Sequence, residues 1–294
     1  MSNSPTLYRF SHEAMATRFE IIIADCDPDY AGQASDAAFK DIDELEAVLS
    51  RYRPDSDLAR IAALRPGHQL GISLATFDCL SLAKDVAAET GGAFDVTIGP
   101  IYRLWRTKDG SMRAPSEEAQ AEARSRTGIH LFDLVPDGLR LETHTAGLEL
   151  DLGGIGKGYA LDQAADVLRQ WDIDTALLNA GDSTVLAMDP PEDSEAWLVG
   201  AGGEGAPPVH LKNRALSGSG FAVKGSHIIN PRTGLPAPIA RGKERTWAAA
   251  PTATLADALS TAFIVMERDE IDSLCTRHQE VEAILLDPEL AADS

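Results

Sequence analysis

The chain has 294 residues, 44% of them hydrophobic and 24% charged, enough to build a sizeable core and to exclude disordered and fibrous architectures. Its 26 basic and 46 acidic side chains leave a net charge of −20, which repels polyanions and excludes nucleic acid as an expected partner. No apolar run reaches the roughly 18 residues of a membrane span, so stable membrane insertion is not expected. Met1–Phe10 also lacks the basic-then-apolar order of a secretory leader, and the chain reads as cytoplasmic, or periplasmic if a leader was removed.

The pattern alternates strands and helices throughout. Phe19–Ala24 is β-branched and apolar, as a strand should be; Ala38, Ile42, Leu45 and Leu49 then recur at helical spacing within Ala34–Leu49. A second helix is expected from the N-cap Ser73 to Thr90, stopped by Gly91 and Gly92. Pro100–Pro115 reads as an irregular connection, Glu117–Arg126 as a short polar helix, and Leu139–Leu152 as a hairpin or pair of strands. Within it, Leu148–Leu152 runs as a strand into Gly153-Gly154-Ile155-Gly156-Lys157-Gly158, after which Leu161, Ala164, Ala165, Leu168 and Trp171 mark one face of a helix. Thr175–Asn179, Ala196–Ala201, Thr246–Ala250 and Glu282–Asp287 are predicted strands, and Leu255, Leu259, Ala262 and Met266 a buried helix. The acidic, Pro-containing Asp189–Ser194 reads as an exposed loop. With no repeat period and no low-complexity linker, the alternation predicts one interwoven α+β domain.

Three places could carry chemistry. The glycine turn before a helix suits an anion, because unobstructed backbone N–H groups converge there. It is neither standard nucleotide loop: a Walker A loop would need a glycine at Asp151 and a hydroxyl at Gly158, and the dinucleotide fingerprint fails at Tyr159 or Leu161. Lys157 within it is either a phosphate or flavin contact or a solvated lysine in a tight turn. Asp257 and Thr261, spaced i and i+4, put a carboxylate and a hydroxyl on one helical face. That pair suits a hard cation such as Mg²⁺, or else is an exposed Asp with a Thr bonded to the carbonyl one turn back. His227 lies in Leu211–Arg245, where seven basic residues face only Glu244. This stretch carries about +6 against about −26 for the remainder, and a histidine here is suited to accept a proton near neutral pH. The stretch either holds something anionic or balances an acidic surface. The cysteines Cys26, Cys79 and Cys275 are odd in number and widely spaced, which fits bystanders rather than a disulfide or zinc framework.

Taken together, the chain resembles the ApbE family of FAD:protein FMN transferases over about Met15 to Met266. The resemblance is carried, in order, by Met15-Ala16-Thr17, Leu49-Ser50-Arg51-Tyr52 through Asp55-Ser56-Asp57-Leu58, Gly91–Pro100, Asp151–Asp162, Asn179–Asp182, Ser217–Gly220 with His227–Pro236, and Ala256–Ala262. It implies a single α+β domain over residues 5–288, T-fold-related, with mixed or antiparallel sheets flanked by helices; if there are two lobes, the FAD site lies between them. It also implies Mg²⁺-dependent cleavage of FAD, transfer of FMN to a Ser or Thr hydroxyl of an acceptor protein, and release of AMP. FAD hydrolysis to FMN and AMP, or flavin binding without chemistry, are the alternatives. By the same resemblance, Asp257, Thr261 and the carbonyl of Gly156 would hold the metal, while His227, Asp257 and Lys157 form the catalytic set. Met15, Tyr52, Asp95, Thr97, Lys157, Asn179, Gly181, Asp182, His227 and Arg232 would line the flavin nucleotide, with Tyr52 stacking on the isoalloxazine. The chain departs from the pattern at Ala16, Ala62, Phe221-Ala222 and Asn230, where Gly, Asn, an acid with a tyrosine, and an acid are usual.

Overall fold

The structure is a computed structural model that describes residues 5–106, 112–181, 183–201, 208–220, 228–238 and 245–285. Strands β1 (Leu7–Ala14) and β2 (Thr17–Ala24) lead into helices α1 (Pro28–Leu49) and α2 (Asp57–Ala62), then β3 (Gln69–Gly71), α3 (Leu74–Glu89), α4 (Gly99–Trp105) and α5 (Glu117–Ser125). The hairpin β4 (Phe132–Val135) and β5 (Arg140–Thr143) precedes α6 (Gly156–Gln170), β6 (Ala176–Ala180), β7 (Thr184–Ala187), β8 (Trp197–Gly200), β9 (Pro208–Leu211) and β10 (Arg214–Gly220). The short pair β11 (Ile229–Asn230) and β12 (Leu235–Pro236), then β13 (Arg245–Ala250), α7 (Ala253–Val265), α8 (Arg268–Arg277) and β14 (Glu282–Leu285), complete the described elements.

The main sheet runs β1-β2-β6-β7-β10-β13-β14, and every pairing in it is antiparallel. The expected α+β class with antiparallel sheets and flanking helices is the one observed. Period-2 alternation sends Phe19, Ile21, Ile23 and Leu178 into the core formed with α1, α6 and α7. Each such side chain contributes about 1.5–3 kcal/mol of burial. The opposite sheet face carries Leu216, Trp247 and Ala249 under the β8–β9 hairpin, which supplies Trp197 and Leu211. Helix α7 is the central one, with 11 of its 13 residues buried.

Local chemistry explains the helix ends. Asp27 caps α1 by accepting from Asp29 N–H at 3.1 Å and Tyr30 N–H at 3.0 Å, with Pro28 in the first turn. Ser73 caps α3, which stops at Thr90, Gly91 (φ 56°) and Gly92 (φ 78°), as the sequence predicts. Two expectations need correction. Pro100 opens the helix α4 rather than an irregular run, because proline is tolerated where the N–H is unused. Leu148, Leu150 and Leu152 do alternate inward, yet they join no ladder, and the hairpin of that region is β4–β5. Instead of a strand neighbour, the Asp151 N–H finds the carbonyl of Val96 at 2.7 Å.

The β1–β2 turn is held by Met15 (φ 51°) and Ala16 (φ 57°), both in the left-handed region that favours glycine. Ala16 therefore stores strain that a glycine would not. Ala16→Gly is expected to raise stability by about 0.5–1 kcal/mol, the left-handed penalty less the extra chain entropy of glycine, measured by urea unfolding.

Candidate active site

Antiparallel register brings the end of β1, the start of β2, the end of β6, the start of β7 and the end of β10 to one end of the sheet. Asp257, Lys157 and Thr261, singled out from the sequence, come together here. Asp257, on α7, is buried at 3% exposure, so it is not the solvent-facing helical Asp of the alternative reading. Its Oδ2 accepts from the Gly158 N–H at 3.1 Å and its Oδ1 from Thr184 and Ser217 hydroxyls at 3.4 Å each. Lys157 Nζ stands 3.3 and 3.4 Å from its two oxygens. A carboxylate from one helix thus caps the N-terminus of another, α6, whose own N-cap position, Ile155, offers no side-chain bond. Thr261 Oγ1 faces Ser219 Oγ at 3.1 Å and the Asp257 carbonyl at 3.4 Å. Ser219 in turn meets Ser260 Oγ at 2.9 Å.

The glycines of the turn are spent on close approach. A Cβ on Gly158 would stand 2.1 Å from the Ala253 carbonyl oxygen, so only glycine lets α6 touch the start of α7. One turn further, Asp162 takes Ala253 N–H and Thr254 N–H at 2.8 Å each, together with the Thr254 hydroxyl at 2.5 Å. Burial raises the Asp162 carboxyl above its ordinary range, while these three donors pull it back. Gly158 and Asp162 together set the register that places Asp257 against Lys157.

Around this centre, the Ala93–Thr97 loop approaches through Phe94, whose ring edge a Cβ on Gly154 would meet at 3.4 Å. Asp95 is half-buried, and desolvation raises its carboxyl against the hydroxyl and N–H bonds from Thr97 at 2.6 and 2.8 Å. Thr97 itself is fully buried and also accepts from Gly128 N–H at 2.6 Å, so it shapes the loop and offers no surface to a ligand. Tyr52, following α1, is 81% exposed. Met15 N–H bonds Glu46 of α1 at 2.9 Å, and Gly181 (φ 60°) packs its open side on Thr17, where a Cβ would stand 2.4 Å from the hydroxyl. Asn179 projects from the opposite sheet face to Asp257, alternating with the buried Leu178 and Ala180, and its Oδ1 is buried without a partner among the described residues.

Not every predicted residue joins this centre. Arg232 bonds Thr90 and Gly91 carbonyls at 2.5 and 2.9 Å and Glu270 at 2.9 and 3.0 Å, a clamp between the end of α3 and α8. Of the basic stretch, Arg214 donates to the Glu280 carbonyl at 2.9 Å and Arg245 lies over the Trp247 ring at 5.2 Å, so these arginines serve packing. Asn230, in place of an acid, accepts from Arg232 N–H at 2.9 Å and so performs the turn bond a carboxylate would. Asp182 and His227, with Phe221 and Ala222, lie outside the described residues. Nothing in the structure explains Ala62. Burial pushes the Cys79 thiol up to about 12, which keeps it protonated and inert, as expected of a bystander. Sequence reading missed Thr184 and Asp162; the latter had a signal, since it falls four residues after Gly158 on the same helix face.

The ApbE family model matches residues 15–285, and the chain belongs to that family. Among curated relatives, FAD:protein FMN transferase of Klebsiella pneumoniae is 28% identical over 249 residues, covering 76% of this chain and 69% of the relative. The enzyme of the same name from Treponema pallidum is 28% identical over 282 residues, covering 87% and 77%. The crystal structure of the ApbE protein of Thermotoga maritima superposes with a TM-score of 0.81 at 27% identity, over 95% of this chain and 94% of that one. A flavin transferase ApbE variant from Vibrio cholerae, at TM-score 0.83 and 22% identity over 95% and 93%, shares the fold.

Proposed function

We propose that this protein is an FAD:protein FMN transferase that uses Mg²⁺, moves FMN from FAD to a Ser or Thr hydroxyl of an acceptor protein and releases AMP. The observation that carries the reading is Asp257, a buried carboxylate set against Lys157 and the N-terminus of α6. The curated relatives of the same family support it by name.

The residues fit a hard dication. Asp257 supplies a carboxylate, Thr261 a hydroxyl one turn on, and Gly156 a main-chain carbonyl, all oxygen donors. Apart from the Gly158 bond, the contacts to Asp257 are long, at 3.3–3.4 Å, which leaves its oxygens able to take a cation. Gly154 keeps the approach to Thr261 open, since a Cβ there would stand 3.2 Å from Oγ1. Mg²⁺ habitually joins a few such protein oxygens to substrate phosphate and water. Bound there, the ion would neutralise charge on the pyrophosphate.

The chain's own groups divide the remaining work. Lys157 and the glycine turn that opens α6 attract the pyrophosphate, and Tyr52 offers its ring to the flavin. His227 takes the proton of the acceptor hydroxyl as its oxygen bonds the FMN phosphorus, and the bond to AMP breaks with AMP leaving as a phosphate. No covalent enzyme intermediate is needed.

Incubation with FAD, Mg²⁺ and a domain bearing a Ser/Thr flavinylation segment tests this by chromatography. The expected result is AMP matched mole for mole by acceptor-bound FMN. AMP matched by free FMN would make the protein an FAD pyrophosphatase. Absence of AMP would make it a flavin-binding protein.

A further inference from the structure

Tyr52 is exposed, yet its ring is not free to wander. The Arg51 Nη2 donates to its hydroxyl at 2.7 Å, and the Arg51 Cζ lies 4.8 Å from its ring centroid. The same guanidinium reaches Asp151 through Nη1 at 2.7 Å and lies 5.1 Å from the ring of Tyr102 on α4. The Arg51 and Asp151 side chains are only 28% and 17% exposed, so this ion pair is partly shielded from water and salt. Asp151 is itself fixed. Its Oδ1 accepts from Gly153 N–H at 2.9 Å, and its own N–H is held by the Val96 carbonyl at 2.7 Å. One arginine therefore ties three separate pieces of chain: the turn after α1, the helix α4 and the glycine turn that opens α6.

We propose that Arg51 is a positioning residue that pre-orders Tyr52 as a stacking platform for the flavin, using Asp151 of the glycine turn as its anchor. The proposal rests on the flavin reading above. A planar guanidinium suits this task where an ammonium would not, because its fork can bond carboxylate and phenol at once while its face lies against a ring. A tyrosine ordered before binding loses less freedom when the ligand arrives.

The test is a double-mutant cycle read by quenching of FMN fluorescence, an effect of stacking, with free FMN as the probe. Arg51→Met is expected to weaken FMN binding about five- to tenfold, the cost of ordering one such side chain on binding. In a Tyr52→Ala background the same change should cost less than about twofold, since the group it positions is gone. Residual FMN binding by the double variant also shows that the chain still folds. Arg51→Lys should fail to restore the wild-type affinity, because it cannot make both bonds. Equal losses in both backgrounds would overturn the proposal and leave Arg51 as a phosphate contact or a loop brace. Wild-type protein that leaves FMN fluorescence unchanged would overturn the flavin reading itself, and the proposal with it.

Discussion

Asp257→Asn is expected to lower FAD-dependent AMP release by roughly 10²–10³-fold, the scale on which a single preorganised electrostatic group acts. Among the described residues every hydrogen-bond partner of this carboxylate is a donor: the Gly158 N–H, the Lys157 ammonium and the hydroxyls of Thr184 and Ser217. An amide has the right shape but presents an NH₂ to one side of that ring of donors. It also removes the negative charge that a dication needs and that balances Lys157. The hydroxyls can rotate to accept, whereas the ammonium and the backbone N–H cannot, so a stability loss of about 1–3 kcal/mol should accompany the loss of turnover. Chromatographic AMP release across a Mg²⁺ titration and a thermal melt separate the two effects. Unchanged turnover at every Mg²⁺ concentration would remove Asp257 from the metal site.

Gly158→Ala is expected to be the most damaging glycine-to-alanine substitution among the described residues. Its Cβ would lie 2.1 and 2.5 Å from the carbonyl oxygen and carbon of Ala253 and 2.8 Å from the Thr254 Cα. These are backbone atoms with no flexible end to give way, so α6 and α7 must separate. Overpacking of this kind costs about 3 kcal/mol, or roughly 5 °C in melting temperature for a chain of this size. Activity should fall further than stability, because the same displacement draws the Gly158 N–H and Lys157 off Asp257. Gly156→Ala is the control: its Cβ would meet only Leu152 Cβ, at 3.7 Å, and its expected effect is a gain of about 0.5 kcal/mol. If the two variants melt alike, the close helix contact is not what Gly158 is for.

Much of the molecule is legible in the sequence. Ser73 with Gly91-Gly92 bounds α3, the stripe Leu161–Trp171 locates α6, and Asp257 with Thr261 sits on the helix expected to carry them. These features are written in neighbouring residues, through caps, periodicity and turn chemistry. The errors have a common cause. Leu148–Leu152 alternates like a strand, but whether it joins a sheet depends on a distant edge, and here its backbone meets Val96 instead. The partners of Arg232 are likewise out of local reach, and only packing reveals the carbonyls of Thr90 and Gly91 and the carboxylate of Glu270 that it bonds.

By itself, then, the order of residues determined the element types, the glycine turn, the helical carboxylate–hydroxyl pair and the family to which the chain belongs. The tertiary structure alone decided that Asp257 is buried rather than solvated, that it caps α6 from another helix, and that Arg51 joins Tyr52, Tyr102 and Asp151. The division follows from range. Backbone preferences and side-chain periodicity act over a few residues and leave their mark in the local sequence, whereas desolvation and charge pairing depend on which segments meet, and residues 157 and 257 meet only once the sheet and its helices have closed around them.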